Sequence, residues 1–274
     1  MARGTSPNVD RRPPMKPDST ARSPLLESVI QIVRQAGEVV MAVYATDFTV
    51  RGKDDASPVT DADERAEAVI VPALEALLPG VPVVAEEAVA RGHVPCIGGR
   101  FWLVDPLDGT REFINRNGEF TVNVALIEAG VPVLGVVLAP ALDRLFAGAT
   151  GLGAFIEDAG GRRAIACRAV PSGGLTVLAS RSHGDAAALA AFLAGRMVAS
   201  LANAGSSLKL CLVAAGDADL YPRLGRTMEW DIAAGHAVLR AAGGEVRCLD
   251  GTPLRYGKPG FENPHFVASG QPLS

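Results

Sequence analysis

No run of about 18 apolar residues, the shortest stretch that crosses a bilayer as a helix, occurs in this chain of 274 residues. No CxxC pair occurs among its four cysteines, Cys96, Cys167, Cys211 and Cys248, which excludes a zinc ribbon. Their wide spacing among apolar or small neighbours predicts reduced, packed thiols rather than disulfides. Nor is there a long basic run, and the formal net charge is −4. That excludes a nucleic-acid surface, which needs clustered Lys and Arg. It also means that a polyanionic substrate is repelled overall unless metals or local Arg and Lys residues offset the charge. Arg11-Arg12 are followed by Pro13-Pro14 and no apolar segment, so a twin-arginine export signal is not expected. A cytoplasmic protein without a transmembrane segment is predicted, with peripheral contact at the inner membrane left open.

What is present is 48% apolar residues, enough for a sizeable core in one large domain or two ordinary ones. Residues 1–22 are rich in Pro, Ser, Arg and Asp and read as a disordered tail. Ser23-Pro24 reads as a helix start, a capping hydroxyl followed by Pro at the first helical position. Apolar residues then recur at helical spacing as far as Tyr44. Residues 48–51 suit a short strand. Thr60 caps a second helix that ends at Leu78 before Pro79-Gly80, with Pro72 expected to kink it. Residues 81–85 read as a strand that ends in Glu86-Glu87. Residues 120–128 and 133–139 form a hairpin around residues 129–132, and strands follow at 144–149 and 154–156. Residues 23–172 thus read as an α+β half with an antiparallel sheet. The stretch 171–174, Pro-Ser-Gly-Gly, marks a boundary. In residues 173–274, strands at 175–179, 197–201, 219–221 and 245–248 alternate with helices at 185–193, 207–215 and 230–242, an α/β pattern.

The rest is organised around residues 101–123, FWLVDPLDGTREFINRNGEFTVN. Residues 101–104 read as a buried strand, and Pro106 marks its end. Asp105 and Asp108 follow, then a Gly109-Thr110 turn. Two carboxylates this close repel each other and are costly to bury. A hard divalent cation such as Mg²⁺ removes that cost, and the turn offers backbone N–H groups and a hydroxyl to a phosphate oxygen. An Asx-rich surface turn is the plainer alternative, and the stretch alone leaves both open. Asp63 in the first turn of the second helix and Asp231 in the first turn of the last are each explained by the helix dipole alone. Together, however, four segments bring acids to element ends: Asp63, Glu86, the Asp105–Asp108 pair and Asp231.

This ordered set resembles the lithium-sensitive, magnesium-dependent phosphomonoesterase superfamily, that of the inositol monophosphatases. The pattern stands here as Glu86-Glu87, Asp105-Pro106-Leu107-Asp108-Gly109-Thr110 and Trp230-Asp231-Ile232-Ala233-Ala234. Ala85 departs from the glycine the superfamily usually has there, which touches a backbone position and not a ligand. Residues 24–270 are covered. Within the superfamily, DPLDGTREFI, ASRSH at 179–183, GSSLKLCLVAAGDADLYPR at 205–223 and EWDIAAGHAVL at 229–239 are similar to the bacterial 3'(2'),5'-bisphosphate nucleotidases of sulfate assimilation.

The resemblance implies a layered inositol-monophosphatase and fructose-1,6-bisphosphatase fold with two tightly packed halves. It implies a cytoplasmic hydrolase, sensitive to lithium, with two Mg²⁺ ions or a third. Glu86, Asp105 and the Leu107 carbonyl would hold one ion; Asp105, Asp108 and Asp231 the second; Glu86 and Glu87 a weaker third. Asp63 and Thr110 would orient and deprotonate the attacking water, and Gly109 and Thr110 would hold the phosphate. The implied reaction is adenosine 3',5'-bisphosphate plus water giving AMP and phosphate, with phosphoadenylyl sulfate a second substrate. Ser180, Ser182 and His183 follow a strand and suit the ribose or second phosphate, and Lys209 and Arg223 suit its charge. His236 reads as a packed histidine, and Trp102 and Trp230 as core anchors beside the site. A monomer or homodimer is expected. The alternatives are an inositol monophosphatase, a fructose-1,6-bisphosphatase, or a non-catalytic phosphate or nucleotide sensor.

Overall fold

The computed structural model describes residues 19–52, 58–180 and 186–272. The elements in chain order are α1 (Ser19–Tyr44), β1 (Val50–Gly52), β2 (Pro58–Thr60), α2 (Asp61–Leu77), β3 (Val83–Ala85), α3 (Glu86–Ala90), β4 (Arg100–Asp108) and α4 (Thr110–Ile114). A run of strands follows: β5 (Thr121–Glu128), β6 (Val131–Ala139), β7 (Arg144–Ala149), β8 (Gly153–Asp158), β9 (Gly161–Ile165) and β10 (Leu175–Ser180). The rest are α5 (Ala186–Leu193), β11 (Val198–Ala204), α6 (Leu208–Ala214), β12 (Leu220–Arg223), α7 (Glu229–Ala241), β13 (Glu245–Cys248) and β14 (Phe266–Ser269).

Strands β3 to β9 form a seven-stranded sheet in sequence order. Only its first pair is parallel: β3 runs alongside β4, and the remaining neighbours are antiparallel. The other main sheet has five strands in the order β11-β10-β12-β14-β13. It is mixed, because β10 is parallel to β11 and β12 while β14 is antiparallel to both its neighbours. One face of the seven-stranded sheet is covered by α1 and α2, whose Val29, Ile30, Val33, Ile70 and Leu74 pack with Trp102, Val104, Val124 and Val136. Val137, Phe146 and Ala125 point to the opposite face and meet Ala233, Ala234 and Val238 of α7 and Leu210 of α6. Alternate residues along each strand thus bury themselves in two different cores, as the period of two requires.

The approach of α7 to the sheet is set by Gly135 on β6. A Cβ there would lie 2.3 Å from the Ala234 carbonyl oxygen and 2.7 Å from Ala237 Cβ. Since α7 carries Asp231, Gly135→Ala moves a candidate site residue as well as the core. A loss of about 1–3 kcal/mol is expected from overpacking of this kind, read as a fall in Tm.

Several expectations need correction. α1 starts at Ser19, so Pro24 lies inside the helix rather than at its first position; a proline this near the N-terminus removes only one backbone bond. α2 runs unbroken through Pro72, which is exposed, so the carbonyl it leaves free, four residues back at the exposed Ala68, faces water. The strand expected to stop at Pro106 continues to Asp108. The β5–β6 turn is tighter than residues 129–132: Ala129 and Gly130, at φ 51° and 73°, make the two-residue turn, and β6 already begins at Val131. Among the cysteines, Cys211 is buried but Cys96 is exposed, because it sits in the irregular stretch between α3 and β4. The elements β2, α3, α4, β9 and β14 have no counterpart in the sequence reading. Their runs are too short or, in GRRAI, too charged to show a period. Of the tail expected over residues 1–22, residues 19–22 instead form the first turn of α1, while residues 1–18, and Ser182 and His183, lie outside the described residues.

Candidate active site

One register shift places the two central acids. Asp105 pairs with Asn123 across the β4–β5 ladder, and Asp108 pairs with Thr121. Three steps on β4 therefore oppose two on β5, which is a bulge of one residue. In a regular strand residues three apart point to opposite faces. The extra residue returns Asp108 to the face of Asp105, because Asn123 and Thr121 are themselves two apart. Pro106 is tolerated inside the strand because it falls in the bulge. On that shared face Asn123 Nδ2 donates to Asp108 Oδ2 at 3.4 Å. Ser207 Oγ donates to Asn123 Oδ1 at 2.8 Å and lies 3.1 Å from Thr121 Oγ1.

Gly109 then turns the chain at φ 88°, ψ 44° and begins α4. A Cβ there would meet Glu112 Oε2 and the Glu119 carbonyl, each at a tight 3.3 Å, and the left-handed backbone conformation itself favours glycine. Thr110 follows. Its hydroxyl lies 3.3 Å from the Leu107 carbonyl and 3.4 Å from Asp63 Oδ1. Asp63 is buried in the first turn of α2, where its Oδ2 accepts from the Thr60 N–H and hydroxyl, both at 2.8 Å, in a capping box. The cap explains the local fold. It leaves the other oxygen aimed at Thr110.

Asp231 arrives in the same way. It is the third residue of α7, and its Oδ2 accepts from the Met228 N–H at 2.8 Å. Two residues earlier Glu229, fully buried, accepts from the Gly257 and Lys258 N–H groups at 2.7 and 3.0 Å and from Lys258 Nζ at 2.5 Å. That carboxylate pins the 255–258 loop against the start of α7.

These parts meet at a cavity of about 700 Å³. Glu86, Glu87, Asp108, Gly109, Thr110, Ser180, Lys209, Arg223 and Asp231 all line it, and Trp230 does too. Asp63, Asp105 and Leu107 lie behind the wall, with Asp105 linked to Glu86 by a hydrogen bond. Trp102 is fully buried in the core under the sheet. His236 is packed against Tyr256, its Nδ1 2.8 Å from the phenol oxygen, and burial takes its pKa down to about 3.

The acids strain against one another. Asp105 is held well above the usual carboxylate range, first by burial and then by the charges of Glu86, Asp108 and Asp231. Asp231 is raised well above it too, by burial and by Asp108 and Glu86. Asp108 is raised to about 6 by burial, with Lys209 opposing the shift. Among the described residues no three His, Cys, Asp or Glu side chains form a closed metal-holding group. The donor chemistry nevertheless fits a hard cation: carboxylate oxygens from three elements come together, Asp105 buried and Glu86, Asp108 and Asp231 half-buried. The low-dielectric surroundings, before the neighbouring charges, disfavour the ionised forms of Asp105, Asp108 and Asp231.

The opposite charge comes from the five-stranded sheet and α6. Lys209 is almost fully buried. Its Nζ donates to the Ala204 carbonyl at 3.1 Å and the Ser206 carbonyl at 2.6 Å, and lies 5.3 Å from the Tyr221 ring centroid. Burial lowers its pKa to about 8, with Asp108 resisting. Arg223 donates from Nη1 to Ser180 Oγ at 3.0 Å and from Nη2 to the Arg226 carbonyl at 2.6 Å. Among the described residues its buried Nε has no hydrogen-bond partner.

The whole chain can now be set beside known proteins. The model of the inositol monophosphatase family matches residues 21–270. The chain belongs to that family. Within it, the chain is 48% identical over 249 residues to the 3'(2'),5'-bisphosphate nucleotidase CysQ of Escherichia coli K12, covering 89% of this chain and 99% of that one. It is 32% identical over 257 residues to the protein of the same name from Haemophilus influenzae, covering 92% and 94%. Among solved structures of the family, CysQ from Bacteroides thetaiotaomicron superimposes with a TM-score of 0.76 at 36% identity, covering 91% of this chain and 98% of that one. The Thermotoga maritima IMPase superimposes at 0.75 with 26% identity, covering 90% and 92%. The mixed sheets with covering helices are thus the family's fold.

Sequence reasoning missed some residues that shape the site. Asn123 and Ser207 buttress Asp108, and both sit in apolar or small-residue runs where one polar side chain draws no attention. Glu112 and Glu119 act at a distance on Lys209, and Glu119 Oε2 accepts from the Gly205 N–H at 2.7 Å. Arg91, Arg111 and Arg226 also line the cavity.

Proposed function

We propose that this chain is a Mg²⁺-dependent 3'(2'),5'-bisphosphate nucleotidase that removes the 3'-phosphate of adenosine 3',5'-bisphosphate, with phosphoadenylyl sulfate as a second substrate. The observation that carries this reading is the pairing, in one cavity, of a carboxylate cluster with two buried cations, Lys209 and Arg223. A single phosphate ester needs only the first; a second phosphate gives the cations their task. The naming of the relatives supports the same conclusion.

Glu86, Asp105, the Leu107 carbonyl, Asp108 and Asp231 would hold two Mg²⁺ ions, with Glu87 near a third. Bound there, the ions neutralise the carboxylates and polarise the phosphate. The remaining roles belong to the chain. Gly109 and Thr110 present N–H groups to the phosphate oxygens at the start of α4. Thr110 and Asp63 orient a water for attack on phosphorus, and its proton passes by way of the Thr110 hydroxyl to Asp63. The P–O3' bond breaks, the ribose oxygen leaves with a proton from solvent, and phosphate is released without a phosphoenzyme. Ser180 holds Arg223 in place. A cytoplasmic setting, a monomer or homodimer, and inhibition by lithium belong to the same proposal.

The deciding experiment is phosphate release from adenosine 3',5'-bisphosphate, inositol 1-phosphate and fructose 1,6-bisphosphate, with Mg²⁺ and with EDTA. Preference for the nucleotide and silence in EDTA are expected; preference for inositol or sugar phosphate overturns the substrate, and no release from any supports a sensor. Within the nucleotide reading, Lys209→Met and Arg223→Ala each lower kcat/KM for the bisphosphate by about ten- to a hundredfold, the worth of a hydrogen bond to a charged group. Adenosine 3'-monophosphate, which lacks the second phosphate, separates the roles: its kcat/KM stays within a few-fold of wild type.

A further inference from the structure

α3, the five-residue helix that carries Glu86 and Glu87, begins without a cap of its own. Its N-cap is Ala85, which has no side chain to accept a hydrogen bond. The first N–H groups of any helix need an outside partner. Here that partner comes from a different helix, nineteen or more residues earlier in the chain. Glu67 on α2 is 4% exposed, and its Oε2 accepts from the Glu87 N–H at 2.8 Å. The Ala88 N–H bonds to the same carboxylate. Its Oε1 accepts from Arg91 Nη2 at 2.7 Å, and Arg91 lies one residue past the last turn of α3. One buried carboxylate thus grips α3 at both ends.

Glu67 lies four residues after Asp63, on the same face of α2. The helix that presents Asp63 to Thr110 therefore also fixes where Glu86 and Glu87 stand. Neither tip of Glu67 reaches the cavity, whose lining includes Glu86, Glu87 and Arg91 but not Glu67.

We infer that Glu67 is a positioning residue for the candidate metal centre: it caps α3 from outside and thereby sets the Glu86–Glu87 carboxylates for the cation. The inference rests on the Mg²⁺ reading proposed above. Its nature separates it from an ordinary buried ion pair. The bonds to the Glu87 and Ala88 N–H groups need only an acceptor, and the negative charge serves Arg91 alone.

The experiment uses the full chain with Glu67→Ala, Glu67→Asp and Glu67→Gln. Mg²⁺ binding is read twice, as the midpoint of the Mg²⁺-dependent rise in Tm and as the Mg²⁺ concentration for half-maximal phosphate release. Glu67→Ala removes the acceptor, and Glu67→Asp withdraws it by one methylene while keeping the charge. Both shift the midpoint upward by about 10- to 100-fold, the usual effect of losing a group that orients a metal ligand, while kcat at saturating Mg²⁺ recovers most of the wild-type value. Glu67→Gln, which keeps an acceptor of the same reach without the charge, restores a midpoint close to wild type. Midpoints for Glu67→Asp equal to wild type overturn the inference. So does a Glu67→Gln midpoint as high as that of Glu67→Asp, since charge and not capping would then be at work. Should Glu67→Ala not fold, these two variants decide alone. A wild-type protein without any Mg²⁺ response overturns instead the metal reading on which the inference rests.

Discussion

Asp63→Asn lowers phosphate release by about 10²- to 10⁴-fold at saturating Mg²⁺, the range for loss of a positioned proton acceptor, and leaves the Mg²⁺-dependent rise in Tm in place. The fold tolerates the change. The capping role of Asp63 needs an acceptor for the Thr60 N–H, now bound at 2.8 Å, and an asparagine carbonyl supplies one. Its amide then turns to Thr110, whose hydroxyl now lies 3.4 Å from Asp63 Oδ1. A donor replaces an acceptor at the one atom where the water's proton has to end. The hydroxyl keeps only the Leu107 carbonyl, 3.3 Å away, and no other carboxylate is bonded to Thr110 among the described residues. The measurement is kcat beside the thermal shift. Turnover within a few-fold of wild type assigns the proton elsewhere, and a sensor would be indifferent to the change. Loss of the thermal shift together with turnover would instead make Asp63 part of the metal centre.

Part of this was legible in the sequence. The acids at Glu86, Asp105, Asp108 and Asp231 stand out because each closes or opens an element, and one strand or helix apiece delivers them. The family followed from them. How they are brought to one face did not. The β4 bulge depends on a partner strand fifteen or so residues away, and no local pattern announces that three residues will oppose two. Pro106 was read as a stop for the same reason: its tolerance is decided by the ladder it interrupts. Glu67 was invisible for a different reason. A glutamate in mid-helix looks solvated by default, and its burial is set by where α3 docks. Cys96 failed in the other direction, since apolar neighbours in sequence do not bury a residue in an irregular connection. Lys209 and Arg223 were suggested by charge alone. Their burial in the wall of the carboxylate cavity turns that pair into a specific expectation about bisphosphates. The two-sheet division shows the same limit. α7 follows the 171–174 stretch in sequence, yet it buries its apolar face against β4 to β7.

Asp105→Asn gives a protein that is more stable without metal and nearly inert with it. Asp105, Asp108 and Asp231 are raised by burial and by neighbouring charges, so folding holds protons that the unfolded chain has released. A carboxyl whose folded pKa lies above its unfolded value contributes stability that is present at low pH and lost as pH rises through the folded value. For Asp108 that window lies between its unfolded value near 4 and its folded value of about 6, and the shift corresponds to roughly 3 kcal/mol at pH 7. Asp105 and Asp231, also raised, lose stability in the same direction as pH rises. His236 acts in the opposite sense, since its folded pKa of about 3 makes it lose stability as pH falls below 6.5. Comparing the protein with and without Mg²⁺ at each pH cancels His236 and isolates the acids. Ligands must lose their protons to bind metal, so the Tm gain from Mg²⁺ is small near pH 5 and grows through pH 6 to 8. Asparagine at 105 keeps the acceptor for the Leu107 N–H, now 3.0 Å from Asp105 Oδ1, and can donate to Glu86 where two carboxylates now share a hydrogen bond. It removes one charge from the centre of the cluster. The penalty that burial and the charges of Glu86, Asp108 and Asp231 place on an ionised Asp105 disappears, and the metal-free Tm at pH 8 rises by several degrees, equivalent to about 1–3 kcal/mol. Phosphate release falls by at least about 10³-fold, because Asp105 sits at the centre of the carboxylates that, in the proposed function, would hold the cations and so supply their electrostatic work on the transition state. A metal-free Asp105→Asn protein less stable than wild type at pH 8 would sink this account of the cluster: burial of the acids would then be a source of stability, and the strain relieved by the cation would not exist.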